Sequence, residues 1–297
     1  MIEYVIGRNS ADIRADRFLI KATDAPSSLI YKTFRKKDVK VNGKWIKEDY
    51  ILREGDVLRI YIKEEFRKEK TFTPCPLTAE IVYEDENIII FNKPATLPCQ
   101  PDEKHKDGTL ADMLKSYLFE KGEYNPDAES SFSPALCNRL DTNTQGLVIG
   151  AKNAEALRDM NEQIRLHNVF KYYLCRLENI PEKKSDFVNT HIIKEESRNI
   201  SRISDEGKEI SMEYIVIEEK DGTALCQVLL HTGRSHQIRA YFSSIGCPLV
   251  GDKKYGAKSG GGQALIAYRI RFGFPESYDG ILSYLRESQV KLEGIDI

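Results

Sequence analysis

Hydrophobic and polar positions change period several times along this chain, and each change marks an element. From Ala11 to Phe34 apolar residues recur at helical spacing, with Ile13, Phe18, Leu19, Leu29, Ile30 and Phe34 as the expected core. Asp24-Ala25-Pro26-Ser27 interrupts the run, which predicts two helices, the second capped by Ser27 or Ser28. Val39-Lys40-Val41 and Lys44-Trp45-Ile46 flank Asn42-Gly43 and predict a hairpin, because both turn residues accept positive φ. Leu52–Ile60 turns at Glu54-Gly55-Asp56 and continues as an alternating strand. Residues 63–76 are charge-rich, then proline-punctuated, and carry no apolar periodicity to bury. The expected division is a small domain at 1–65, a linker at 66–76 and a larger domain at 77–297.

In the larger part, Ile81-Val82-Tyr83 and Ile88-Ile89-Ile90-Phe91 predict two strands around the acidic turn at 84–87. A helix is expected over 111–119 with Leu110, Leu114, Tyr117 and Leu118 inward, followed by a polar loop at 121–134. Residues 146–151 read as a small-residue strand, followed by a helix carrying Leu157, Met160 and Ile164 on one face. Further strands are expected at 169–177, 212–218, 224–231 and 265–272, with a helix at about 236–245 closed by Gly246. Strands outnumber helices and arrive in runs. The fold class is therefore α+β, a mixed and largely antiparallel sheet with flanking helices, plus a small N-terminal α/β domain.

Composition narrows the class. Across 297 residues, 44 Lys+Arg nearly cancel 46 Asp+Glu and 41% of positions are hydrophobic, which excludes a disordered chain. No apolar run approaches the roughly 20 residues of a membrane span, and the first residues lack a secretory signal, so a cytoplasmic, monomeric protein is expected. The six cysteines include no Cys-x-x-Cys pair and the five histidines no His-x-x-x-His pair, so free thiols and no bound metal are expected. The near-neutral total hides an asymmetry. Residues 1–75 hold 17 Lys+Arg against 12 Asp+Glu, a net of +5, whereas the other 222 hold 27 against 34. Arg35, Lys36, Lys37, Lys40 and Lys44 crowd into one short stretch, the charge layout of a nucleic-acid-docking appendage.

Three segments carry chemistry. Asn138-Arg139-Leu140-Asp141-Thr142-Asn143-Thr144 is a polar loop before a buried strand, able to present Arg139 and Asp141 to a cleft or to close a local salt bridge. In Phe170-Lys171-Tyr172-Tyr173, alternation places Lys171 and Tyr173 on one face and Tyr172 on the other, so Tyr173 either stacks on a base or packs in the core. The face shared by Phe170, Tyr172 and Leu174 is the more apolar, which makes Tyr172 the expected packing residue. In Thr232-Gly233-Arg234-Ser235-His236-Gln237-Ile238-Arg239 a helix starts after a tight turn, suited to phosphate contact by Arg234 or His236. Arg239 follows His236 by three and shares its helical face.

Two helices, a Val-Asn-Gly-Lys hairpin and a Gly-Asp turn into a strand resemble a small RNA-binding domain shared with a ribosomal small-subunit protein. With Asn92-Lys93-Pro94, the Arg-Leu-Asp loop, Lys-x-Tyr, the Gly-Arg-Ser-His-Gln-Ile-Arg segment and Gly246–Asp252 in order, the chain resembles the pseudouridine synthases that modify large-subunit ribosomal RNA. That resemblance implies conversion of specific uridines to pseudouridine in RNA, ribosomal first and transfer RNA second, without a cofactor. It implies Asp141 as the catalytic aspartate, Arg139 in base displacement, Tyr173 stacking on the flipped uracil and Arg239 paired with Asp141. It marks Asn138, Thr144, Lys171, Arg234, His236 and Gln237 as substrate-binding and the basic residues of 35–44 as RNA-binding. Asn138 stands where many members carry His, and Asn cannot be protonated. A non-catalytic RNA-binding protein would be expected to lose Arg-Leu-Asp or Lys-x-Tyr, and a glycoside hydrolase would need a second carboxylate as well placed as Asp141.

Overall fold

A computed structural model describes residues 1–68, 72–103, 105–295 and 297. The N-terminal part builds its own sheet from β1 (Ile2–Val5), followed by α1 (Ala15–Ala22), α2 (Ser27–Arg35), β2 (Val39–Val41), β3 (Lys44–Trp45) and β4 (Val57–Ile60), in the strand order β1-β4-β2-β3. Asn42 (φ 51°) and Gly43 (φ 82°) make the hairpin turn between β2 and β3, the conformation Asn-Gly prefers. Ile2, Phe18, Leu19, Ile30, Leu52, Leu58 and Ile60 are fully buried between the sheet and the helices. Each such side chain contributes about 1.5–3 kcal/mol by leaving water. β1 pairs with β4 from the far end of the module, Ile2 against Ile60 58 residues away, so nothing local announces it. The expected serine cap does not form. Pro26 holds the position before the helix, no side chain caps it, and Ser27 is already helical.

Phe72 is not idle linker. Its ring packs against Phe119 and Tyr124 at 5.1 and 6.4 Å, and the Cys75 N–H donates to Ser116 Oγ at 3.0 Å. A short turn at Arg8–Ser10 ties the N-terminal module to the larger body: Asn9 Oδ1 accepts from the Ala154 N–H, Asn9 Nδ2 donates to Glu129, and Ser10 bonds Ser131.

The larger body runs β5 (Glu80–Glu84), β6 (Ile88–Lys93), α3 (Leu110–Glu120), β7 (Ala135–Leu136), β8 (Gln145–Ala151), α4 (Ala154–Arg165), β9 (Val169–Leu177), β10 (Ser185–Glu195), β11 (Ile200–Ser204), β12 (Lys208–Lys220), β13 (Thr223–Leu230), α5 (Gln237–Ser244), β14 (Leu265–Phe272) and β15 (Gln289–Lys291). Among the described residues these strands form one sheet in the order β11-β10-β12-β13-β9-β14-β8-β6-β5, with β7 and β15 as side additions. It is largely antiparallel, and β14 runs parallel to β8. α3 begins at a capping box of Thr109 and Asp112, and the Asn153 side chain caps α4.

Both faces of the central strands are covered. Ile89, Phe91, Val148 and Tyr173 share one core with Leu114 and Leu118 of α3 and Ile238 and Phe242 of α5. Ile88, Ile90, Leu147 and Ile149 share the other with Met160 of α4 and with Leu282 and Leu285. Burial on both faces explains the unbroken apolar run at 88–91. Strands β7, β11 and β15 lie outside the sequence pattern because they are short or at an edge, and β10 because the polar residues of its mostly exposed run blur the alternation. At Gly146 (φ 119°) an added Cβ would lie 2.2 Å from the Ala267 carbonyl oxygen, so only glycine lets β8 approach β14 where the Asp141 loop ends.

Candidate active site

The loop before β8, the face of β9 and the start of α5 converge on a cleft of about 640 Å³. Arg139, Asp141, Thr144, Lys171, Tyr173, Arg234, His236, Gln237 and Arg239 all line it, as does Asn138, so the three chemical segments meet in space.

The loop is held from below. The Asn138 carboxamide accepts the Ile149 N–H at 2.8 Å and reaches the Leu147 carbonyl at 3.4 Å, locking the loop to β8. The Leu140 N–H donates to Cys99 Sγ at 3.3 Å and the Thr144 N–H to the Asp141 carbonyl at 3.0 Å. Beneath them lies Lys93, fully buried, whose ammonium donates to the carbonyls of Pro94, Leu97 and Thr142 at 3.0, 2.8 and 3.0 Å. Burial pushes the Lys93 pKa down to about 8, against the opposing charges of Cys99 and Asp141. Chain pattern could have found Lys93: it is in phase with Ile89 and Phe91 on the inner face of β6.

Asp141 is half-exposed and clamped at one oxygen. Arg239 donates to Asp141 Oδ2 at 2.9 Å, while its other two guanidinium nitrogens grip both oxygens of buried Asp252 at 2.7 and 2.9 Å. Burial works against the Arg239 charge, but hydrogen bonds and charge from Asp252 and then Asp141 raise its pKa overall. Its main partner is therefore Asp252, just beyond the turn at Gly251. His236 lies on the same side: Nε2 is 3.7 Å from Asp141 Oδ2, and Nδ1 meets the Tyr255 hydroxyl at 2.9 Å. That hydroxyl also accepts the Ser201 N–H at 2.8 Å. Burial above all pushes the His236 pKa down to about 4, with Asp141 opposing and Arg239 assisting, so the imidazole is neutral near pH 7. The helix begins at Gln237, with His236 in the left-handed region (φ 54°), a strained backbone for a non-glycine residue.

On β9 the alternation places Tyr173 and Lys171 on the cleft side and Tyr172 on the other. Tyr173 is 6% exposed, and its pKa is raised by burial and then by the charges of Asp141 and Cys99. Lys171 is also desolvated, which lowers its pKa. The expectation that Tyr172 sits in the more deeply packed face is overturned. Tyr172 is only partly buried, under the Arg269 guanidinium at 3.7 Å from its ring centre, whereas the Tyr173 face is the buried one. Gln237 spends its carboxamide on Thr232, the Arg234 N–H and the Ser211 carbonyl, which shapes the turn at 232–236. Thr144 is buried and accepts from Gln263. Arg139 and Arg234 stay exposed at the rim, and Arg139 makes no ion pair or hydrogen bond among the described residues.

Among the described residues no group of three or more His, Cys, Asp or Glu is placed to hold a metal, and no helix is long and apolar enough to cross a membrane. The six cysteines are free thiols.

Known proteins resemble this chain. Residues 87–244 match the family described as RNA pseudouridylate synthase, a span that holds the Asp141 loop, β9 and α5. An uncharacterized RNA pseudouridine synthase of Aquifex aeolicus is 31% identical over 93% of this chain and 90% of its own length. A ribosomal large subunit pseudouridine synthase C of Vibrio parahaemolyticus is 31% identical over 84% of this chain and 79% of its own. In fold, the chain is similar to the solved human RNA pseudouridylate synthase domain containing 1, with a TM-score of 0.54, 22% identity and coverage of 70% of this chain and 86% of that one. This chain therefore belongs to the RNA pseudouridylate synthase family and is an enzyme that isomerises uridine to pseudouridine in RNA.

Proposed function

We propose that the enzyme modifies uridines of large-subunit ribosomal RNA, with Asp141 as the catalytic carboxylate. The observation that carries the catalytic reading is the clamp: Asp141 opens to the cleft at one oxygen while a buried, doubly anchored Arg239 fixes the other at 2.9 Å. The name of the Vibrio relatives supports the choice of ribosomal over transfer RNA.

The reaction breaks the bond between N1 and the ribose C1′, turns the uracil and joins C5 to C1′. The C5 proton leaves and N1 gains one, so no electrons change hands and no cofactor or metal is assigned. The target base must leave its stack, which costs a few kcal/mol. Arg139, exposed and unpaired at the rim, suits insertion into the vacated space. Tyr173 supplies an aromatic face for the uracil, and its buried setting strengthens every charge interaction around the ring. Asp141 then acts at the anomeric carbon, at the base or on a ribose proton, chemistry open to any fixed carboxylate in a desolvated cleft. Arg239 holds it in place with His236 packed alongside, and Lys171 and Arg234 neutralise phosphate nearby. Residues 1–65 serve as the RNA-docking domain through Arg35, Lys36, Lys37, Lys40 and Lys44, joined at 66–76 to a catalytic domain from 77 onward. A soluble, monomeric protein of the ribosome's compartment fits this substrate.

Mapping pseudouridines in cellular RNA with and without an intact gene tests the substrate. Loss of one or more sites in large-subunit ribosomal RNA is expected. Loss confined to transfer RNA would reassign the substrate and leave the chemistry standing.

A further inference from the structure

The N-terminal module exposes two aromatic rings with ammonium groups laid over them. Trp45, the chain's single tryptophan, is 51% exposed on edge strand β3, and Tyr61 is 45% exposed just beyond β4. Lys37 Nζ lies 4.8 Å from the centre of the Trp45 ring, and Lys40 Nζ 5.2 Å from that of Tyr61. Register pairs Trp45 with Lys40 and Lys40 with Arg59, so these side chains form one row on the outer face of the sheet. Tyr61 follows Arg59 by two and shares that face. On the opposite face Val39, Val41, Leu58 and Ile60 fill the core, so packing does not require aromatics outside.

Lys37 adds a second observation. Its N–H bonds the Phe34 carbonyl and the Asp38 N–H bonds that of Thr33, which closes α2 in a Schellman motif. The residue at that left-handed position is ordinarily glycine, yet here it is a lysine at φ 62°. The backbone accepts strain and a cation is delivered over Trp45. From 32 to 47 the chain carries seven Lys+Arg and one Asp, so the surface attracts polyanions.

We infer that Trp45 and Tyr61 form a stacking platform for unpaired RNA nucleotides, with Lys37 and Lys40 taking the intervening phosphates, whereas Arg59 in the same row is held by Glu3. Exposed cation–π pairs are weak, so a base can displace each lysine from its ring onto a phosphate of the same nucleotide. One strand, β2, lies between β3 and β4. Two strand spacings of about 4.8 Å and a two-residue offset along the strands put the rings about 12 Å apart, room for bases of an extended single strand. A duplex keeps its base faces stacked inside and offers this row only backbone charge. The inference rests on RNA being the substrate and deepens it by naming single-stranded segments as what the module reads.

The test uses the full chain. Emission from the single tryptophan reports on Trp45 directly, and anisotropy of labelled RNA gives affinity separately. The probes are a short oligouridylate and an RNA duplex of equal length. Oligouridylate should quench Trp45 strongly and duplex only weakly. Trp45→Ala and Tyr61→Ala should each weaken single-strand binding roughly 5- to 100-fold, the range for removing a stacking ring, while Trp45→Phe keeps most of it. Oligouridylate binding that leaves the emission unchanged overturns the platform, as does parental affinity in both alanine variants. Equal quenching by duplex also overturns it and assigns the row to backbone charge alone. If Trp45→Ala does not fold, quenching of the parent and the Tyr61→Ala affinity still decide. Failure of the underlying reading is distinct, since the parent would then form no pseudouridine in any RNA.

Discussion

The module and the cleft both present cations, and they hold them in opposite ways. Around the β2–β3 hairpin the lysines stand in water, and the contacts they make are loose cation–π pairs. In the cleft the Arg239 guanidinium is buried and all three of its nitrogens are committed, two to Asp252 and one to Asp141. Lys93 is fully buried on three carbonyls. Water-exposed charge is cheap to rearrange and is screened by salt, so it suits capture of a polyanion of variable shape. Buried charge is expensive to expose or unpair, so it suits a carboxylate that must stand in one place. The same residue types are thus held loosely in one region and fixed in the other.

The largest test of this contrast is Asp141→Asn, expected to lower turnover on the order of 10⁴-fold or more. Folding should persist, because Arg239 keeps its paired bonds to Asp252. Tritium release from uridine labelled at C5, together with a melting curve, checks both halves. Near-normal turnover would remove Asp141 from the chemistry. Arg239→Ala comes next, since it leaves Asp252 buried and unpaired. It should destabilise the protein by about 3–5 kcal/mol, measured by denaturant unfolding, whereas Lys44→Ala at the hairpin should not measurably change stability.

A third test is pH. His236 has its pKa depressed to about 4 in the folded protein from 6.5, so between those values the unfolded state binds more protons. Its contribution is fully present above pH 6.5 and is lost as pH falls towards 4. Over that window the parent should lose about 3 kcal/mol at most relative to His236→Gln. A pH dependence identical in both proteins would mean the imidazole is not held neutral by the fold.

Substitutions separate the two faces of β9. Tyr172→Ala should cost about 2 kcal/mol, below the range for fully buried aromatics, because its ring is only partly covered by Arg269. Tyr173→Ala should remove activity and also cost about 3–5 kcal/mol, as for other buried aromatics. Tyr173→Phe, which keeps the ring, separates the two roles and should retain most activity if the ring stacks. Activity lost in Tyr172→Ala at full stability would reverse the assignment. The smallest effect belongs to the module. Removing residues 1–68 should weaken RNA binding at low salt with a difference that fades as salt rises, and Lys44→Ala alone should reduce the salt slope by about one.

Local pattern reached far into this molecule. The β9 and β14 strands and the Asn-Gly hairpin could be read because alternation and turn chemistry act over neighbouring residues. Strand β1 could not, because its partner β4 lies more than 50 residues away, and neither could Phe72, whose cover is supplied by Phe119 and Tyr124. Asn138 read as a substrate contact, yet its carboxamide is spent on β8. Short-range signal cannot tell a polar side chain that faces a cleft from one that satisfies a backbone.

What the sequence by itself determined is periodicity, composition and motif: an α+β chain, a basic module on an acidic body, and the residue types of the Asp141 loop, β9 and the start of α5. What only the tertiary structure decided is company. Asp252 and Arg239 are 13 residues apart and Asp141 is 98 from Arg239, yet one guanidinium bridges both carboxylates. The bridge exists because strands distant in sequence stack into one sheet and leave these charges where water is scarce. Electrostatic partners are set by distance and burial, and neither is written in a local run of residues.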